Sequence, residues 1–185
     1  MLFRSHKWMF TPIDCSVLFC RRPEVLKQAF SLTPEYLRTA EADETTNYME
    51  YGVALGRRFR ALKLWMIFRS LGREGIVDAI RAHISFAQKL KEMIESHADF
   101  ELLAPALFST LVFRYCPGSI QANDDLNSLN EKLLAKINET GEVFLSHTML
   151  KGKYGIRLAI GNLKTTWKDV ELAWDIIQKQ AKKLD

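Results

Sequence analysis

The chain has 185 residues, 48% of them hydrophobic, enough for one substantial core or for one domain with a piece of a second. Lys and Arg total 26 against 22 Asp and Glu, and the net charge of +4 is scattered apart from residues 57–60 and 179–183. A nucleic-acid binder gathers its positive charge on one face with aromatics between, so no nucleic-acid partner is expected. No run of about 18 apolar residues and no signal-peptide pattern is present, so no membrane span is expected either. Cys15, Cys20 and Cys116 are odd in number and lack CxxC spacing. They suggest neither a disulfide framework nor a zinc site, and fit a reduced, cytoplasmic setting.

In chain order, residues 9–20 read as strand, turn, strand. Pro12 and Asp14 punctuate the turn, and residues 16–20 form a short apolar run of the kind a buried strand shows. Pro23, at the favoured first helical position, opens a short helix that reaches Phe30. Residues 31–51 are polar, rich in Thr and Glu, and without period. An irregular stretch of that length is a place where function concentrates.

Residues 55–69 predict a helix that is apolar nearly all round. At about 100° per residue, Phe59, Leu62 and Met66 share one face, Leu64, Phe68 and Leu71 lie nearly opposite, and Trp65 sits between. Such a helix is expected to be buried, with its arginines reaching acidic or carbonyl partners or the surface. Gly56 and Gly72 bound it. Residues 74–96 predict a second, amphipathic helix with Ile76, Ile80, Ile84, Ala87, Leu90 and Ile94 as its stripe. His83 and His97 fall on its surface by default, and Trp65 and Trp174 read as core.

Residues 100–103 and 107–115 predict strands, and residues 124–138 a helix facing inward with Leu126, Leu129, Leu133 and Ile137. Residues 143–150 and 154–160 predict a hairpin around Lys151-Gly152-Lys153. Thr166, with Asp169 three residues on, resembles a capping box opening a last helix with Val170, Trp174, Ile177, Ala181 and Leu184 inside. Two helices, two strands, a helix, two strands and a helix define an α+β fold, one antiparallel sheet with helices on one face.

Four segments, taken together, carry a resemblance. Leu55-Gly56-Arg57-Arg58-Phe59-Arg60-Ala61-Leu62-Lys63-Leu64-Trp65 resembles the signature after the active-site loop of the group II pyridoxal-phosphate decarboxylases. That family includes the aromatic-L-amino-acid, tyrosine, histidine and glutamate decarboxylases. Ser5-His6-Lys7-Trp8 resembles the family's cofactor-lysine motif, Pro34-Glu35-Tyr36-Leu37 its catalytic-loop tyrosine, and Asn47-Tyr48 precedes the Leu-Gly-Arg-Arg as in the family. Order and spacing agree from about residue 5 onward. The family's usual Asn before His-Lys is replaced by Phe3-Arg4-Ser5.

The resemblance implies a fold-type-I enzyme using pyridoxal 5'-phosphate, with residues 1–50 the end of the large cofactor domain and residues 51–185 the small C-terminal domain. It implies a homodimer that removes CO2 from an aromatic amino acid. Lys7 is then the Schiff-base lysine, which must be deprotonated to attack a carbonyl, and His6 helps to hold the phosphate. Read alone, His6-Lys7 is ordinary solvated charge. The backbone at Leu55 and Gly56 approaches the phosphate of the neighbouring subunit, a use for a residue without a side chain, although a glycine at the start of a helix explains Gly56 equally well. Tyr36 returns a proton to Cα; amine-forming members keep Tyr there and aldehyde-forming relatives carry Phe. His147 matches a common family pattern and reads as structural.

In the family, the groups that stack on the pyridine ring and grip most of the phosphate lie well upstream of the lysine. The chain therefore reads as the C-terminal portion of such an enzyme, and residues 1–185 alone are expected to show no turnover. A non-catalytic product acting only through its surface and a cofactor enzyme that forms aldehydes are the alternatives.

Overall fold

The computed structural model describes residues 2–32, 46–54 and 56–184. The chain divides into two compact units, residues 1–72 and 73–185. The division follows the backbone of Gly72, whose φ of 66° breaks a helix that otherwise runs as α2 (Arg60–Ser96). It also leaves the arginine-rich segment 56–60 in the first unit, past the boundary expected at 50/51, because the side chains of that segment bond to Asp14 and Tyr48.

In the first unit β1 (Leu2–Phe3) pairs antiparallel with β2 (Val17–Leu18), Leu2 opposite Leu18 and Phe3 opposite Val17. The strand expected near residue 9 is absent, because residues 5–9 form a turn that uses those backbone groups itself. Helix α1 (Pro23–Phe30) starts with Pro and Glu24 in its first turn, both suited to a helix N-terminus. A short 3-10 helix follows at Tyr48–Tyr51. Lys27 of α1 pairs with Glu50 at 2.9 Å and lies over the Tyr51 ring.

The first part of α2 corrects an expectation. None of its residues before Ile76 is buried, and Phe59, Leu62, Trp65, Met66 and Phe68 are all exposed. A helix apolar on opposite faces needs partners on both. The described elements of the first unit, two two-residue strands and two short helices, offer too little surface for that. Trp65 is accordingly exposed with Arg69 over its ring, whereas Trp174 is core as expected.

The second unit is built as predicted. Its sheet runs β3 (Phe100–Leu102), β4 (Thr110–Tyr115), β6 (Lys153–Ala159), β5 (Ser146–Leu150) in space, antiparallel throughout. Lys151 and Gly152, with φ of 51° and 78°, make the two-residue turn between β5 and β6, a conformation whose twist matches the strands it joins. Leu111, Phe113, Ile156 and Leu158 of the sheet share one core with Leu90 and Ile94 of α2, with Leu133 and Ile137 of α3 (Asn123–Glu139), and with Val170 and Trp174 of α4 (Trp167–Ala181). At the start of α4 the Asp169 carboxylate accepts from the Thr166 N–H at 2.7 Å and hydroxyl at 2.8 Å.

Two histidines depart from the surface placement. His83 is buried with Nε2 3.1 Å from the Asn162 carbonyl, since the buried stripe of α2 passes through Ile76, His83, Ala87, Leu90 and Ile94 while Ile80 and Ile84 are half-buried. His97 lies just past α2, edge-on to Phe100 and Trp174. His147 stacks flat on Tyr154 at 4.9 Å. Among the described residues no cluster of His, Cys, Asp or Glu is arranged to hold a metal, and no helix is long and apolar enough to cross a membrane.

Asn130 closes the sheet. The pairing of β4 with β6 ends at Phe113 opposite Ile156, which leaves the N–H and C=O of Tyr115 without a strand on that side. The fully buried Asn130 amide takes both: Oδ1 accepts from Tyr115 N–H at 2.7 Å, and Nδ2 donates to Tyr115 O at 2.7 Å and to Leu126 O at 2.8 Å. Asn130→Ala is expected to cost about 3 kcal/mol in urea unfolding, because buried polar groups are left unmet. Asn130→Asp, which keeps the size and the acceptor, should recover only part of it.

On the sheet, Glu101 stands opposite Arg114 in register. Its Oε1 accepts from the buried Arg114 guanidinium and from Lys153 at 3.3 Å, while Arg114 Nη1 donates to Asn123 Oδ1 at 2.9 Å. Partial burial works to raise the Glu101 carboxyl, but the hydrogen bonds and charges of Arg114 and Lys153 outweigh it and hold it below its ordinary value of 4.5. A lowered carboxylate stabilises the fold fully above that value and loses its contribution as pH falls through the folded-state value. Glu101→Gln is therefore expected to flatten the acid limb of a thermal-stability profile below about pH 4.5.

Candidate active site

The His6–Lys7 segment is a tight turn. Lys7 N–H donates to Arg4 O at 3.1 Å, Thr11 N–H to Ser5 O at 3.3 Å, and His6 N–H to Cys15 O at 3.3 Å. Ser5 is fully buried beneath it, its hydroxyl without a hydrogen-bond partner among the described residues. Lys7 is exposed, and its amine has no acidic or carbonyl partner among the described residues.

The His6 ring is fixed by Cys15. Nδ1 lies 2.8 Å from Cys15 O and 3.2 Å from Cys15 N. The first contact needs a proton on Nδ1, the second a lone pair, so the two select different tautomers. In the tautomer that accepts from Cys15 N–H, Nε2 carries the proton. Nε2 has no protein partner among the described residues, so that N–H is free to meet an anion.

The residue before Cys15 reaches elsewhere. Asp14 Oδ1 accepts from Arg58 Nη2 at 3.1 Å and Oδ2 from Arg60 Nε at 3.0 Å. Slight desolvation works to raise this carboxyl, but the Arg60 hydrogen bond, a backbone hydrogen bond and the charges of Arg60 and Arg58 hold it below its ordinary value of 3.8. Arg57 instead donates from Nη1 to Tyr48 O at 2.8 Å. A cavity of about 700 Å³ opens here, lined by Cys15, Val17, Tyr48, Arg57, Arg58 and Leu64. A Cβ placed on Gly56 would meet nothing within 4 Å among the described residues, so their packing does not require a glycine there. Gly56 also precedes the first helical residue, Arg60, by too much to serve as a cap.

Of the residues singled out from sequence, Lys7 and His6 are adjacent on the turn, and Gly56 heads the segment whose arginines bond Asp14. Tyr36 and Leu55 lie outside the described residues. Asp14 was read only as punctuation. The arginines at 57, 58 and 60 called for acceptors, but nothing local in the sequence distinguished Asp14 from the acids nearer to them.

The chain is a member of the family described as pyridoxal-dependent decarboxylase conserved domain, which it matches over residues 1–116. It is 36% identical over 97% of its length to "Tyrosine decarboxylase 1" of Narcissus pseudonarcissus, and 37% identical over 97% to "Phenylacetaldehyde synthase" of a Rosa hybrid cultivar. It spans 36% and 37% of those two proteins. Among solved structures it superposes on Oryza sativa TDC with PLP and tryptamine with a TM-score of 0.92 at 30% identity, covering 98% of this chain and 38% of that one. On Catharanthus roseus tryptophan decarboxylase in complex with L-tryptophan the TM-score is 0.87 at 34% identity, covering 100% and 38%.

Proposed function

We propose that this chain supplies the cofactor-lysine segment and the small domain of a decarboxylase that converts an aromatic L-amino acid to its amine and CO2. The observation that carries the reading is the turn at Ser5-His6-Lys7, whose amine and half-buried imidazole Nε2 have no partner among the described residues. These groups fit pyridoxal 5'-phosphate: Lys7 offers the nucleophile that captures an aldehyde, and His6, in the tautomer that accepts from Cys15 N–H or as the imidazolium, offers Nε2–H as a donor for a phosphate oxygen. When bound, that cofactor supplies the electron sink for the pair left at Cα as CO2 departs. Lys7 holds the cofactor in register, His6 orients its phosphate, and Tyr36 returns a proton to Cα. Leu55 and Gly56 let backbone approach a phosphate from the neighbouring subunit, so a homodimer is the working assembly. A cytoplasmic setting suits three free cysteines.

The names of the relatives also support a second reading, formation of an aldehyde, and Tyr36 is the residue that weighs against it. The test uses a protein of the relatives' full length that contains this chain. With L-tyrosine, L-tryptophan and L-phenylalanine it is expected to release CO2 and the matching amine, and with L-glutamate neither. Release from glutamate alone removes the aromatic assignment, and no release from any amino acid with cofactor bound removes the decarboxylase reading.

A further inference from the structure

The turn that bears Lys7 and the arginine-rich start of α2 are far apart in sequence, and one dipeptide engages both. The backbone of Cys15 holds His6 through its N–H and C=O. The side chain of Asp14, one residue earlier, holds Arg58 and Arg60 with separate carboxylate oxygens. The Cys15 thiol adds a contact to Arg60 O at 3.9 Å. Pull on either side is thus transmitted through two consecutive residues.

We propose that Asp14 is a positioning residue that ties the His6–Lys7 turn to the segment of Arg58 and Arg60, so that removing its charge weakens capture of pyridoxal phosphate by Lys7 without unfolding the chain. The inference rests on the reading of Lys7 given above. Exposed ion pairs are individually weak, but here one carboxylate fixes two guanidinium groups, and the loss falls on the geometry of a neighbouring turn. Asp14 touches neither amine nor imidazole, so its effect passes through Cys15.

The test labels a protein of the relatives' full length that contains this chain with pyridoxal phosphate over a range of concentrations, traps the imine with borohydride, and reads Lys7 and Lys164 separately by peptide mass spectrometry. Asp14→Asn is expected to raise the half-labelling concentration at Lys7 about three- to tenfold, leave the exposed Lys164 unchanged, and speed hydrogen exchange at the Cys15 amide. Asp14→Glu should restore most of the capture. Arg58→Gln and Arg60→Gln together break the same contacts from the other side and should reproduce the shift, which keeps the test intact if Asp14→Asn disturbs folding. Faster exchange with unchanged labelling makes Asp14 merely structural and overturns the proposal, as does no change in either readout. No preference for Lys7 in the unsubstituted full-length protein removes the Lys7 reading itself, and this inference with it.

Discussion

Lys7→Ala is expected to abolish borohydride-trapped cofactor at the Ser5–Trp8 turn and to reduce turnover in the full-length protein to background. The amine bonds to nothing among the described residues and is exposed, so its removal should cost the fold no more than about 0.5 kcal/mol. A stability change therefore cannot account for the loss. Lys7→Arg sharpens the result. Guanidinium keeps the positive charge but stays protonated and cannot act as a nucleophile, so it should be as inactive as alanine. Were positive charge beside His6 all that mattered, Lys7→Arg would retain cofactor affinity and activity, and Lys7 would lose its assigned role. Mass spectrometry of the trapped adduct, set beside CO2 release, separates the two cases.

How much of this was legible beforehand depended on sequence distance. The elements of the second unit follow from local pattern: the inward leucines of α3, the Lys151-Gly152 turn and the Thr166–Asp169 pair each lie within a few residues of their partners. His83, assigned outward by default, and Asn130, given no assignment, escaped that reading. Each is buried because a distant carbonyl or strand end receives it. The start of α2 was misplaced for the opposite reason. Its apolar periodicity calls for burial on both faces, and the described part of the first unit has little to offer it.

The candidate site divides the same way. His6 and Lys7 adjoin in sequence, so a short motif reveals them. Asp14 and Arg60 are 46 residues apart, and a lone aspartate in a turn gives no local sign of its partner. What the sequence could contribute was a demand: a cluster of arginines must find acceptors, and Glu41, Asp43, Glu44 and Glu50 all lie closer in sequence than Asp14. That demand did not name Asp14. Gly56 stays undetermined by packing, since its surroundings are open and neither helix capping nor steric closeness explains it. Its contribution has to be read from what approaches its backbone, not from neighbours within the unit.

Tyr36→Phe is expected to change the product more than the affinity. Once CO2 has left, Cα needs a proton before oxygen reacts there. A phenol whose ordinary pKa is near 10 can deliver one where water is excluded, and a positioned acid of this kind contributes roughly 10²- to 10⁴-fold. Phenylalanine keeps the ring and removes the hydroxyl that carries the proton. Amine formation should fall by about that factor, while capture of the cofactor by Lys7, which requires no proton from residue 36, stays as it was. The diverted fraction consumes O2 and water and yields aldehyde, ammonia, CO2 and hydrogen peroxide. This links the variant to the two kinds of relative, since proteins named for decarboxylation and for aldehyde synthesis are similar to the chain to nearly the same degree. Amine, aldehyde and peroxide are measured together in the full-length protein with L-tyrosine. Peroxide rising as amine falls assigns the proton to Tyr36. Amine at the unsubstituted rate, with no peroxide, takes Tyr36 out of the reaction and leaves the choice between the two chemistries to another residue.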